Sequence, residues 1–564
     1  VASRGTRRFT VYGRLKTGVS VAQAQSEMDA IALHIDREFG ARVQSLQEDL
    51  TGDYRKPLLL IMGAVMFVLL IVCANTGNLL LARSIAKRKE IEIRLALGAS
   101  RRRIVNQVLL ESILLGIGGG LAGAFLAYAA IRALIVVAPA DLPILATARV
   151  DALALAFTAV LSVVTGALFG IAPAWQISRV KPASHNRLTR TLVVVQIALS
   201  LILLTGAGLL IRSFILLRNV NLGIRPQQIL TVQVDRPLMP GADREAWSIF
   251  YQRLIADVAA MPGVEAAGGT LALPVTDHTF LQRIPHPGLR EPITAEWRIV
   301  SAGYFQTMGI PLRAGRYFTE RDTRDTPRVA IINEALARRF PPGQNPIGQI
   351  ERGARIVGIV GNVRQGRVWE EPSPQVYDPL TQVSLPWMTL VVRSRLEPSS
   401  LISSIRRVTT ALDPTQPIGR VMAMQDLVDS SFEQPRFRTR LLSVYAGLAL
   451  LLVLVGIYGM LAYSLSLRVR EIGIRMAVGA RRIDIVTLVL REAGVMIGTG
   501  MLLGAAGALA LSRVMASFVY GIETTDAIAF AAAPLLFVIA ALPAILIPAD
   551  RAARLDPLAA LRHE

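Results

Sequence analysis

Arg468-Val469-Arg470-Glu471-Ile472-Gly473-Ile474-Arg475-Met476-Ala477-Val478-Gly479-Ala480 has a second copy in the same chain, 381 residues earlier: Lys87-Arg88-Lys89-Glu90-Ile91-Glu92-Ile93-Arg94-Leu95-Ala96-Leu97-Gly98-Ala99. At that offset Arg101 falls on Arg482, Ile104 on Ile485, Val105 on Val486, Val108 on Val489, Leu109 on Leu490 and Glu111 on Glu492. Arg14-Leu15 also falls on Arg395-Leu396, each read as the end of a strand before a helix. An ungapped match of this length means two copies of one module. In a helix Lys87, Glu90 and Arg94 share a face, as do Arg468, Glu471 and Arg475. Glu four residues before Arg is the favourable order for an ion pair. Gly98 and Gly479 suit a left-handed C-terminal cap, after which the chain turns. Each copy therefore reads as a short charged helix, capped, running into a longer apolar one.

Outward from these loops the chain turns apolar. It has 564 residues, 52% of them hydrophobic, a mean hydropathy of +0.46 and yet a formal charge of +20. Seven runs are long enough to cross a hydrocarbon core of about 30 Å: 57–82, 113–138, 151–176, 191–213, 440–466, 493–517 and 525–548. Bases gather between them. The loop 83–112 has eight against three acids, 464–492 has six against three, and 177–190 has Arg179, Lys181, Arg187 and Arg190 with no acid. The connection 518–524 has no base, and 139–150 has only Arg149. Positive loops stay in the cytoplasm, which places 215–437 outside. The charge follows span topology, and no RNA- or DNA-binding motif accompanies it, so nucleic acid is excluded as a partner.

Residues 215–437 differ in kind, with 25 Lys and Arg, 21 Asp and Glu, and no span-length apolar run. Strands are predicted at 229–234, 298–301, 328–333, 355–363 and 388–394, and amphipathic helices at 244–260 and 401–412. The domain reading is 1–56, the remnant of a first external domain; 57–182, a first three-span module; 183–214, a linker and the first span of the second module; 215–437, an α+β external domain; and 438–564, three further spans and a cytoplasmic tail. Span 191–213 and most of 215–394 have no first-copy counterpart before Val1. The repeat therefore predicts a truncated chain whose complete form has eight spans.

Catalytic chemistry finds no foothold. No Gly-Lys pair occurs, hence no P-loop. The single cysteine, Cys73, sits in an apolar run, and the five histidines lack metal-ligand spacing. No carboxylate lies mid-span, where an ion-driven transporter places its relay groups. Arg132, Arg212 and Arg513 lie near span ends, where they can snorkel. The expectation is no catalytic residue, no metal site and no cofactor.

The stretch from Glu471 to Arg481 resembles the hallmark loop of FtsX-like permeases of the MacB type. The external domain resembles the MacB periplasmic core, through Val300-Ser301-Ala302-Gly303-Tyr304-Phe305, Met308-Gly309-Ile310-Pro311-Leu312, Ala314-Gly315-Arg316-Tyr317-Phe318 with Asp322, Val329 to Phe340, Asn345-Pro346-Ile347-Gly348-Gln349 and Ile356-Val357-Gly358-Ile359-Val360-Gly361. The duplication is similar to the orphan permeases first named from acidobacteria. The fold class so implied is an α-helical polytopic membrane protein of about seven transmembrane helices, with an α+β periplasmic domain. It would lie in the bacterial inner membrane as the permease subunit of an ABC efflux system. ATP would act only through a separate ABC ATPase, met by the coupling loops at Lys87, Glu90, Arg94, Gly98, Arg468, Glu471, Arg475 and Gly479. Membrane lipids and a periplasmic partner complete the implied contacts. The alternative is an FtsX-like scaffold that controls a periplasmic partner and transports nothing.

Overall fold

The structure, a computed structural model, describes residues 11–35, 42–86, 100–137, 151–178, 185–236, 244–276, 280–284, 292–351, 353–366, 368–523 and 525–554. The chain divides into two compact units: Val1–Thr51 with Phe214–Phe437, and Gly52–Ser213 with Arg438–Glu564.

The first unit is built on an eleven-stranded sheet. In chain order its strands are β1 Ile229–Asp235, β2 Val264–Thr270, β3 Phe280–Ile284, β4 Ile293–Val300, β5 Leu312–Gly315, β6 Val329–Asn333, β7 Ile350–Glu351, β8 Ala354–Val360, β9 Gln375–Pro379, β10 Trp387–Ser394 and β11 Val421–Ala423. Their spatial order is β11-β1-β10-β2-β4-β9-β6-β8-β5, with β3 on β4 and β7 on β8. Most pairs are antiparallel, but β4–β9 and β6–β8 run parallel, which requires the chain to cross over between them. Alternation along β8 buries Ala354, Ile356, Gly358 and Val360, the period-two pattern of a strand with one face on the core.

The Arg244–Ala259 and Ile402–Leu412 helices supply Tyr251, Leu254, Val258 and Ile405 to the core formed with Leu230, Val232, Leu390 and Val392. Tyr251 is fully buried, and its hydroxyl donates within reach of the Val234 and Pro386 carbonyls at 3.1 and 2.7 Å. The motif aromatics also serve packing. Phe305, fully buried, touches the rings of Tyr304, Tyr317, Phe318 and Tyr377. Burial pushes the Tyr304 hydroxyl up to about 12 even though the nearby Arg298 guanidinium pulls the other way. Asn333 ends β6 and caps the next helical turn: its Oδ1 accepts from the Leu336 and Gln375 amides, both at 2.9 Å.

The second unit is helical. Among the described residues, six helices are long and apolar enough to cross a membrane: Pro57–Asn78, Leu109–Ala133, Thr189–Arg218, Glu433–Ser466, Arg482–Met515 and Ala527–Ala553. The seventh predicted span is the Ala152–Ser178 helix, of which Ala152–Ala167 forms the shorter described apolar run. It packs on the Arg101–Val137 helix where glycines let the backbones close: a Cβ on Gly116 would stand 2.6 Å from the Ser162 carbonyl oxygen, and one on Gly166 would stand 3.0 Å from that of Ser112. Arg212, which the sequence places near a span end free to snorkel, instead pairs with Asp526. Residues 11–20 hold no strand, so Arg14-Leu15 does not end one; the Val21–Ile35 helix follows.

Two expectations follow. Ser399 and Ser100 are exposed and lie on opposite sides of the bilayer by loop charge. In a Cys73→Ala background, Ser399→Cys should react with an impermeant thiol reagent in intact cells and Ser100→Cys only after permeabilisation. The opposite pattern would invert the topology. Within the sheet unit, Asp322 takes two 2.8 Å bonds from Arg316 and one from the Thr319 amide. Burial pushes its carboxyl up, but these partners together outweigh that and hold it below the ordinary range. Its contribution is therefore fully present above the unfolded carboxyl range near pH ~4 and is lost as pH falls through the lower folded value. Asp322→Ala should cost about 2 kcal/mol at neutral pH in urea unfolding, and the difference should shrink as the pH falls below that range.

Candidate functional site

The loop between the Glu433–Ser466 and Arg482–Met515 helices forms a site of its own. Val469–Ala477 is a nine-residue helix. Its end is a full Schellman closure: the Ala480 amide donates to the Arg475 carbonyl at 3.0 Å, and the Gly479 amide to that of Met476 at 3.1 Å. Gly479 stands at φ +105°, where a side chain is strained. The next helix begins at once, with the Asp484 carboxylate accepting from the Arg481 amide at 2.8 Å.

One face of this helix is fixed. Ile472, 2% exposed, packs with Ile485, Ala552 and Ala553, and Met476 lies against the same cluster. The opposite face is open. Arg475 and Glu471 pair there at 2.7 Å with about half of each side chain in solvent. Ile474 and Val478 stand beside them, 47% and 84% exposed. A face that mixes both charges with bare aliphatic groups has the chemistry of a protein contact.

The predicted site residues divide accordingly. Glu471, Arg475 and Gly479 lie on or just after this helix. Arg468, expected on the same face, sits at its N-terminal boundary and turns away to Glu492 at 3.3 Å. The reason is electrostatic: Glu492, partly buried on the next span, also receives Arg190, so it draws both bases inward. Lys87, Glu90, Arg94 and Gly98 lie outside the described residues. Sequence reasoning missed Ile474, Val478 and Arg190. The repeated Glu111/Glu492 pair was the available signal for the ion-pair centre.

A second feature lies deeper in the helical unit. An apolar cavity of about 370 Å³ is lined by Phe67, Leu203, Gly206, Leu442, Met515 and Phe518 among others. The Arg438 guanidinium sits 4.9 Å from the Phe518 ring centre and donates to the Phe518 carbonyl at 3.1 Å.

Comparison with known families agrees with this architecture. The FtsX-like permease C-terminal family matches twice, at 62–182 and 443–557, and the MacB-like periplasmic core domain family matches 191–422. The chain belongs to the FtsX-like permeases that carry a MacB-type periplasmic core, with the permease domain duplicated. It is a multi-pass membrane protein with a periplasmic domain. The macrolide export ATP-binding/permease protein MacB of Acinetobacter baylyi is 30% identical over 291 residues, 48% of this chain and 43% of that protein. The probable syringafactin export ATP-binding/permease protein SyfD of Pseudomonas syringae is 28% identical over 312 residues, 52% of this chain and 45% of that one. The chain thus spans less than half the length of these curated relatives. The crystal structure of the periplasmic region of MacB from Actinobacillus actinomycetemcomitans aligns at 15% identity and a TM-score of 0.27, covering 37% of this chain and 95% of that one.

Gly479→Ala should loosen the closure by about 1 kcal/mol. In inside-out vesicles this should appear as severalfold faster tryptic cutting at Arg475 or Arg481, with cutting in the periplasmic domain unchanged.

Proposed function

We propose that this chain is the membrane permease subunit of a MacB-like ABC transport system in the bacterial inner membrane. It passes ATP-driven motion of a separate ATPase to the periplasmic domain for efflux or release of a substrate. The observation that carries the reading is the Val469–Ala477 helix, fixed to the bundle on one side and open on the other with Glu471, Ile474, Arg475 and Val478. A lipid anchor needs positive charge, and an exposed glutamate weakens its attraction to an anionic leaflet. A protein partner uses both signs. The relatives are named as export proteins with ATP-binding and permease parts, and these 564 residues contain no P-loop, so the proposal places ATP binding outside them. Lys87, Glu90, Arg94 and Gly98 would form the equivalent contact in the first module. A periplasmic partner on the external domain belongs to the same reading.

The test is charge reversal at both loops, Glu90→Lys with Glu471→Lys. The Glu471–Arg475 pair is half exposed, and such pairs contribute little to stability, so expression and insertion should persist. Co-purification with the ATPase and any ATP-dependent phenotype should be lost. A double variant that keeps both would refute coupling through these loops and favour the non-transporting scaffold.

A further inference from the structure

The Thr189–Arg218 and Arg482–Met515 helices meet closely at mid-span and part toward the end where Arg190 lies. At the crossing, a Cβ on Gly500 would stand 2.7 Å from Ile197, and one on Gly504 would stand 2.9 Å from the Ala198 carbonyl oxygen and from Leu201. Beyond it, a groove of about 600 Å³ opens between the two helices, with Val194, Leu488, Val495 and Met496 on its walls and Arg190, Arg491 and Glu492 at its head. Leu488, Glu492, Val495, Met496 and Thr499 lie on one face of their helix at helical spacing. The run from Leu488 to Thr499 rises about 16 Å, which is about the depth of one leaflet of a 30 Å core.

We propose that this groove binds one anionic phospholipid of the cytoplasmic leaflet, its phosphate on Arg190 and Arg491 and an acyl chain along Val194, Val495 and Met496. Charge selects the headgroup. Three arginines, Arg190, Arg468 and Arg491, surround the single carboxylate of Glu492, which already receives Arg190 and Arg468. Arg491 is exposed and pairs with no carboxylate among the described residues, while the Nε of Arg190 is buried without a hydrogen-bond partner. The fold does not demand Arg491: at the repeat offset the first module has Leu110 there, although it keeps Glu111 for Glu492. The end of the span is also right. The Thr189–Arg218 helix leads into the periplasmic domain at its other terminus, which leaves Arg190 at the cytoplasmic surface, where anionic headgroups attract arginine.

The test is lipid retention by the purified full chain, read by native mass spectrometry from micelles containing phosphatidylglycerol or phosphatidylcholine with identical acyl chains. Wild type should retain the anionic lipid about fivefold more, the effect of one arginine at a membrane surface. Arg491→Gln should bring that ratio to near one, and Arg491→Lys should keep most of it. Val495→Trp, at a position 66% exposed, should block retention of both lipids without altering charge. Unchanged melting of the variants in phosphatidylcholine micelles establishes that they fold. Equal retention of the two lipids by wild type, or an unchanged preference in Arg491→Gln, would overturn the proposal. So would displacement of the lipid by glycerol 3-phosphate at equal concentration, which would make the groove a free-anion site. None of these readouts involves the ATPase, so the outcome is separable from the coupling function.

Discussion

The helical unit depends on one buried span, Thr189–Arg218, and on how it is held. Of the six spans it is the most enclosed, with 56% of its apolar window buried against at most 28% for the others. Lipid tails are as apolar as leucine, so burial alone does not bring helices together in a bilayer; close packing of small residues does. Gly500, Gly504 and Gly507 provide that closeness against Ile197, Ala198, Leu201 and Ile202. At the two ends, where water and headgroups lower the cost of charge, Arg190 pairs with Glu492 and Arg212 with Asp526. Glycines fix the crossing point, and the ion pairs fix rotation and depth.

The same logic joins the two modules. The Asn75 amide, on a first-module span, donates to the Leu452 carbonyl of a second-module span at 2.7 Å. Gly456 makes room for it: any Cβ there would stand 2.3 Å from the Asn75 Oδ1 and 2.9 Å from the Gln196 Oε1. An amide in hydrocarbon is costly unless it is bonded, so an asparagine inside an apolar run marks a helix contact. By contrast, the Leu109–Ala133 span packs on the Ala152–Ser178 helix of its own module, and none of its apolar window is buried. Among the described residues, the first module joins the shared core through the helix that carries Asn75, with Ala64 and Ile71.

Much of this was legible in the sequence because it is written in periodicity. Apolar runs gave the spans, and short strand-like runs gave β1, β6, β8 and β10 close to their observed limits. The repeat alone marks Gly479, and it pairs Glu492 with Glu111. What escaped was held by tertiary contact. β2 reads Val-Glu-Ala-Ala-Gly-Gly-Thr, with little strand propensity. It needs its glycines because a Cβ on Gly268 would stand 2.7 Å from the Tyr304 backbone. Arg298 is 1% exposed on β4, paired with Glu296 at 3.0 Å, a burial that no hydropathy pattern announces. The parallel pairings β4–β9 and β6–β8 depend on crossovers, and local sequence does not encode them. Arg468 follows the same rule: helical spacing put it with Glu471, but a carboxylate 24 residues later in the chain decided its direction.

The proposed coupling by a surface helix requires that a push be transmitted rather than absorbed. A helix attached by one flexible loop would simply tilt. Here three independent fixtures prevent that: the Gly479 closure, the apolar contact of Ile472 with Ile485, Ala552 and Ala553, and Arg468 on Glu492. Glu492 is the joint, since its carboxylate holds Arg468 at the head of the surface helix and Arg190 at the foot of the buried span. Displacing the helix therefore strains a contact of the span that leads, eleven residues after Arg218, into β1. Packed interfaces of this kind have few intermediate arrangements and resist continuous deformation. At the repeat offset the glutamate recurs, as Glu111 and Glu492, while the groove residue beside it does not: Arg491 belongs to the second copy alone, where the first has Leu110.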